Sequence, residues 1–375
     1  MLALVYLVAA TYLGDRICRR FYRFISIQQR IATSFLVGLL LSTWITYLAT
    51  LAFKGFSHPL IAGNIVFLIS LALVCYVLPR ASLADAESER PRPPGSARWD
   101  WIFLGAFVLL ASWLMFATLS FREGQFQISF KSWTDFGANV SLVQSFALGR
   151  NFPTQHPFFP GELIRYHFLF WFQAGNLEFL GLNPVWSINL LSILSLLALL
   201  ILIATFAEVL FDSRVVGRIA ASLFFFSSSL SYLPFLKSQP NWRGLIGSIA
   251  HAKEFLASGY PFRGETWGAL SVNVFAFQRH LISGLGLLFV VLIFMFERYR
   301  GRTVQIENER AEKSLEAAPA ATPDNEDAET QVRTSQASKV SQTDLAAFIF
   351  SGAIMGLLPY WNSPVFVSAL AILGC

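Results

Sequence analysis

Gln278, Arg279 and His280 stand in a row inside "WGALSVNVFAFQRHLISGLG" (267–286), where a polar loop gives way to an apolar run. A guanidinium beside the free N–H groups of a helix start makes an anion site suited to a lipid phosphate. An arginine at such a place also serves as an interfacial anchor that snorkels to water. Arg165 and Arg243 are weaker versions of the same element. A second cluster sits in "GRNFPTQHPFFPGELIRYHF" (149–168), where His156, Glu162 and His167 follow at spacings of six and five residues. These side chains can ligate a divalent metal, but neither a helix nor a tight knuckle fixes the spacing, and hydrogen-bonded structural histidines account for them more simply. Glu265 in "RGETWG" offers a carboxylate to an acceptor hydroxyl, or lies solvated in its loop. Asp135 opens "DFGANVSLVQSFALG" and, at the head of a helix, stabilises the helix dipole.

These residues hang on a chain of 375 residues that is 55% hydrophobic and 14% charged, whereas soluble domains carry about 25% charged residues. Its charge-free apolar runs are long enough to cross a hydrocarbon core as helices, and helices are what such runs fit. The reading is an all-α polytopic transmembrane helical bundle of about nine spans. They are placed at Leu2–Gly14, Ala32–Phe53, Leu60–Leu78, Trp101–Leu119, Val185–Ala207, Ile219–Phe235, Leu281–Phe296, Ala346–Leu358 and a last run from Pro364. That last run stops about twelve residues in, where about 20 are needed, as in a fragment lacking further spans. Serines in "FFFSSSLSYLPF" (224–235) read as helix-packing residues within a span. The three cysteines show neither a disulfide framework nor metal spacing.

The formal charge of +5 would suit a nucleic acid, yet its placement speaks of topology. With "DRICRRFYRFISIQQRI" (15–31) on the inside, 18 of the 28 Lys and Arg fall on that face, as cytoplasmic loops require. The N-terminus is then outside, and all five histidines gather with Asp135 at the outer face of a cytoplasmic membrane. The span interiors hold no Asp, Lys, Arg or His, which disfavours an ion-coupled transporter. Segments 80–100 and 302–343 are too polar to order themselves and read as a cytoplasmic linker and a disordered cytoplasmic linker. The outer loops, 120–184 and 236–280, are long and aromatic. Phe136, Val140, Val143, Phe146 and Ala147 recur at helical spacing and predict an amphipathic helix on the membrane surface. "YHFLFWFQAGNLEFLGL" (166–182) reads as a re-entrant or interfacial helix. Tyr360, Trp361 and Asn362 read as an aromatic anchor.

An outer loop that opens on an acidic residue, runs through a helix into "FPTQHPFFPGELIRYHF" and ends in "LGLNPVWSINLL" resembles the integral-membrane glycosyltransferases of the GT-C class. The resemblance covers roughly Trp101 to the C-terminus. It makes residues 101–301 the core, 1–79 a three-helix membrane extension and 344–375 the C-terminal spans. It implies a polyprenyl-phosphate sugar donor and a catalytic role for the acidic residue early in the loop, as base or as metal ligand; Asp135 is the matching position. Glu162, Arg165, His167, Glu265, Gln278, Arg279 and His280 are then the candidates for binding substrate. The chain departs from the class in that Asp135 lacks an adjacent carboxylate and three spans precede Trp101.

The expected activity is transfer of a sugar from a polyprenyl-phosphate donor to an acceptor on the outer face, with membrane lipid as the setting. The alternatives are a non-catalytic transporter or assembly subunit for lipid-linked glycans, and a different lipid-phosphate enzyme such as a glycan ligase or polymerase.

Overall fold

The computed structural model describes residues 1–78, 92–93, 95–129, 133–227, 230, 232–251, 270–316 and 342–374. In chain order its helices are α1 (Leu2–Phe21), α2 (Ile27–Ala52), α3 (Pro59–Val77), α4 (Ala97–Thr118), α5 (Trp133–Ala147), α6 (Leu169–Phe179), α7 (Pro184–Phe211), α8 (Arg214–Phe225), α9 (Tyr232–Lys237), α10 (Trp242–Ala250), α11 (Arg279–Glu316), α12 (Gln342–Gly356) and α13 (Ser363–Gly374). A π-helical turn at Leu270–Phe275 precedes α11. Two antiparallel hairpins, which the sequence reading did not foresee, pair β1 (Leu119–Arg122) with β2 (Gln125–Ile128) and β3 (Gln155–His156) with β4 (Phe159–Leu163).

The boundaries follow local chemistry. Ser26 accepts from the Gln29 amide at 3.1 Å while the Gln29 side chain accepts from the Ile25 amide at 2.8 Å, a reciprocal cap that fixes the start of α2. Asn183 caps α7 through the Val185 amide at 2.9 Å, with Pro184 in the first turn. The β1–β2 turn bends at Glu123 and Gly124, with φ of 54° and 78°. Its second residue is the glycine that such a conformation favours.

Five stretches among the described residues are long and apolar enough to cross a membrane: α2, α3, α4, α7 and the Arg279–Gly301 part of α11. They match five of the about nine expected spans. The expected span at 219–235 breaks instead into α8 and the six-residue α9. A helix of α8's twelve residues is only about 18 Å long. Ser227 bonds back to the Phe224 carbonyl at 2.9 Å just after α8 ends, the local competition by which serine stops a helix. α12 and α13 run 15 and 12 residues. In α1, Asp15, Arg16, Arg19 and Arg20 fill the last two turns. The linker expected from 302 is helical as far as Glu316, because α11 continues to that residue. Residues 317–341 lie outside the described residues, as does most of 80–100.

The three helices of residues 1–79 are built into the bundle. One continuous core joins Leu7, Leu39 and Phe67 to Phe136, Phe172, Ile188, Leu287 and Trp361. α1 and α2 touch backbone to backbone. A Cβ on Gly14 would run into the Ser34 carbonyl, and one on Gly38 into the Ala10 carbonyl. Close approach of small residues is how membrane helices gain packing energy.

Charge is sorted to the two ends of this bundle. At one end Arg92 forks onto Glu208 at 2.8 and 3.0 Å, Asp100 meets Arg92 at 3.0 Å and Arg218 at 2.7 Å, and Arg30 meets Asp15 at 2.5 Å. Arg300 joins Asp212 at the same end. The hairpins, α5 and both ends of the α6 segment lie toward the other end, near where α7 and α11 begin.

Candidate functional site

α5 buries the residues its spacing singled out: Phe136, Val140, Val143, Phe146 and Ala147 are all inside. Their partner differs from the expected membrane surface, because the face packs on α6. A Cβ on Gly175 would sit 2.6 Å from the Val143 carbonyl and 2.9 Å from the Phe146 side chain. α6 is itself enclosed, with every residue from Leu169 to Leu177 buried. The N-terminal helices answer the Gln173 oxygen and the Asn176 amide, while Gln173 Nε2 is buried without a partner. Thr43 donates to the Gln173 carbonyl oxygen at 3.0 Å, and the Asn64 and Asn176 amides exchange bonds at 2.7 and 3.2 Å. The segment is thus a short buried helix rather than an interfacial one.

This packing fixes Asp135, in the first turn of α5. Gln278, 143 residues away, donates to its Oδ2 at 3.0 Å. Tyr166 lies near enough for the Asp135 charge to act on it: burial first, then that negative charge, holds the Tyr166 hydroxyl above the ordinary tyrosine range.

Beside them His167 and His280 face each other. Their ring centroids are 4.1 Å apart at 35°, with the Tyr166 ring tilted at 40° against His167 at 3.6 Å and Trp171 edge-on to His280 at 5.9 Å. Only 5% of His167 and 4% of His280 is exposed, and neither Nδ1 has a hydrogen-bond partner. Burial pushes His167 down to about 4, so this ring is neutral at pH 7. A neutral imidazole with an unused nitrogen can accept or donate one proton at a hydroxyl.

Arg279 does something else. Its side chain is 0% exposed. Nε donates to the Ala276 carbonyl at 3.2 Å, and Nη1 donates to Asn189 Oδ1 and, at 3.5 Å, to Ser192 Oγ. Nη2 donates to the Met115 carbonyl at 3.1 Å and to Thr118 Oγ1 at 2.9 Å. Those five bonds use all five guanidinium donors. Phe136 covers the group, with its ring centroid 4.7 Å from Cζ, a cation–π contact. Both expectations for Arg279, a phosphate clamp and a snorkelling anchor, are corrected: it ties the start of α11 to α4, α7 and α5. Asn189 completes the knot by donating to the Leu119 carbonyl at 2.9 Å.

The other candidates scatter. Glu162 and Arg165 are exposed. His156 is half-buried and its Nδ1 accepts from the Phe158 amide at 3.2 Å. Among the described residues no three of His, Cys, Asp and Glu come close enough to hold a metal ion, so the His156, Glu162 and His167 ligand set is not assembled. Glu265 lies outside the described residues. Tyr360 anchors the site from behind, its carbonyl accepting from the Phe168 and Leu169 amides at 3.0 and 3.1 Å. Sequence reasoning missed Tyr166, Trp171, Gln173, Asn176 and Asn189. The polar spots "QAGN" in an otherwise apolar run were the available signal for Gln173 and Asn176.

No protein-family model matches this chain, and neither the curated proteins nor the solved structures yield a relative.

Proposed function

We propose that this protein is a membrane glycosyltransferase that moves a sugar from a polyprenyl-phosphate donor to an acceptor hydroxyl, at the end of the bundle opposite its ion-pair network. The observation that carries this reading is the convergence of Asp135 and Gln278 at 3.0 Å, with Tyr166 within reach of the Asp135 charge. His167 and His280, stacked at 4.1 Å, belong to the same two segments as Tyr166 and Gln278. That end is taken to face the outside, since the arginine-rich end suits the cytoplasm.

In this mechanism Asp135 accepts the proton of the acceptor hydroxyl as its oxygen bonds to the anomeric carbon. The bond from that carbon to the phosphate oxygen breaks, and the phosphate keeps the electron pair. Gln278 holds one carboxylate oxygen and leaves the other for the proton. His167 and His280 offer unused nitrogens to sugar hydroxyls. Arg165, exposed and next to Tyr166, takes over the phosphate role once assigned to Arg279. The described residues give no ligand set for a metal, and no step is routed through one.

The test is transfer from a fluorescent polyprenyl-linked sugar in proteoliposomes. Asp135→Asn should lower the rate by about 10²–10⁴-fold, the usual weight of a general base. A wild-type rate in that variant removes Asp135 as the base and the reading with it. One observation favours a non-catalytic glycan-assembly subunit instead: the fully buried Arg279 beside the site spends every donor on the protein. On that second reading, purified protein shows no transfer with any donor, while Arg165→Ala still weakens capture of the lipid-linked sugar.

A further inference from the structure

Away from this site, α1, α2, α4 and α7 enclose a cavity of about 780 Å³. Its walls are aliphatic: Leu4 and Val8 on α1, Val108 on α4, and Leu190, Leu194 and Ala198 on α7. Val8 is 70% exposed and Leu4 50% exposed, so the cavity opens sideways past α1, beside the membrane-length helices α2, α4 and α7. Its polar groups lie at one end. Thr11, Tyr12 and Ser34 border it there, and Asp15 and Arg30 close it with a 2.5 Å ion pair.

We propose that this slot holds one acyl chain of an anionic glycerophospholipid from the leaflet that meets the arginine-rich end, with the phosphate beside Arg30. Size suits one small molecule, since the slot's 780 Å³ falls within the range of about 300–1,000 Å³ typical of such sites. The surroundings decide for a lipid, because the opening faces hydrocarbon and nothing there can satisfy a polar ligand along the aliphatic walls. Charge decides the headgroup. The segment 15–31 that forms this corner carries five arginines, Arg16, Arg19, Arg20, Arg23 and Arg30, and one acidic residue, Asp15, and basic residues at a membrane boundary attract anionic lipid. The proposal is independent of the glycosyltransferase reading, since Asp135, Tyr166, His167, Gln278 and His280 are not among the residues that line the slot.

The experiment uses the full chain in phosphatidylcholine nanodiscs and photolabels it with phosphatidylglycerol bearing a diazirine near the end of one acyl chain. Two further arms carry the same group on phosphatidylcholine and on a polyprenyl phosphate. The expected result is labelling by the phosphatidylglycerol probe at 190–201 and 104–108, severalfold above the lipid-facing Ile65, Leu68 and Ile69 of α3. Val8→Trp or Leu194→Trp should each cut that labelling severalfold without moving the melting temperature. Arg30→Gln should bring phosphatidylglycerol labelling down to the phosphatidylcholine level. Even labelling over all lipid-facing helices overturns the proposal, as does stronger labelling by the polyprenyl phosphate. Cross-links between two copies through Leu4 or Val8 also overturn it, by showing that a second chain fills the slot.

Discussion

At the end of the bundle where α4 begins and α7 finishes, Glu208 is 3% exposed and meets both arms of Arg92, while Asp100 is shared by Arg92, Arg214 and Arg218. At the other end His167 and His280 are equally buried, yet each leaves Nδ1 without a partner. Burying a polar atom unpaired costs about 1–3 kcal/mol, so the first arrangement is what stability alone would select. The second persists at a cost, and polar groups kept unsatisfied beside a carboxylate are what a reacting or binding site needs. Arg279 lies between these extremes. It is at the site's end but satisfied as Glu208 is, and its work is to hold Gln278 and His280 in place.

Substitutions can break this contrast. The largest expected effect on stability is from Arg279→Leu, which removes five bonds at once and leaves Asn189 Oδ1 without its donor. We expect a loss of about 3 kcal/mol or more, read as a lower unfolding midpoint in detergent, with activity lost alongside. A stable, folded Arg279→Leu that fails only in donor binding would restore the phosphate role. Glu208→Gln comes next. It should cost about 1–2 kcal/mol through weakened charge-assisted bonds and leave transfer activity at the wild-type level, since the network serves the fold.

His167→Phe should act in the opposite sense. It keeps a ring to stack on His280 and removes one orphaned nitrogen, so we expect a gain of up to about 1 kcal/mol together with a lower transfer rate. Lower stability with unchanged activity would make His167 an ordinary core residue. The same variant has a pH signature. His167 sits at about 4 in the folded chain, below the ordinary histidine value near 6.5. The unfolded chain therefore binds the proton first, and wild-type stability falls as pH drops from about 6.5 towards 4. His167→Phe should lose that part of the slope.

The smallest effect concerns Glu178 on α6, whose Oε2 is buried without a partner. Burial raises it to about 7. Here the folded chain holds its proton longer than the unfolded one, so stability is full below about pH 4.5 and declines as pH rises through about 7. Glu178→Gln should match the wild type at pH 4.5 and melt at a higher temperature at pH 8. Equal melting at both values would show that water reaches the carboxylate.

What the sequence disclosed and what it withheld divide along physical lines. Helical spacing named the buried residues of α5 correctly, since periodicity follows from 3.6 residues per turn. It could not say that the face meets Gly175 rather than lipid, because both are apolar partners. Hydropathy placed Arg279 at a boundary, but averaging over a window is blind to Asn189 and Thr118, which let a guanidinium be buried. The run 219–235 looked long enough to span because hydropathy ignores how Ser227 ends a helix locally. The Asp135–Gln278 pair joins segments that nothing local in the sequence connects.

α6 has 11 residues and spans only about 16 Å, so it cannot cross a membrane alone, and it carries Gln173 and Asn176 into a place without water. Their partners are Tyr6 and Thr43 on one side and Asn64 on the other, all from helices that precede it in the chain. A nascent polypeptide emerges from its N-terminus, so α1 to α3 are synthesised before the segment that depends on them. The N-terminal helices thereby act as a receptor for a later part of their own chain. The burial of α6 is completed by a later part of the chain, where the Tyr360 carbonyl accepts from the Phe168 and Leu169 amides.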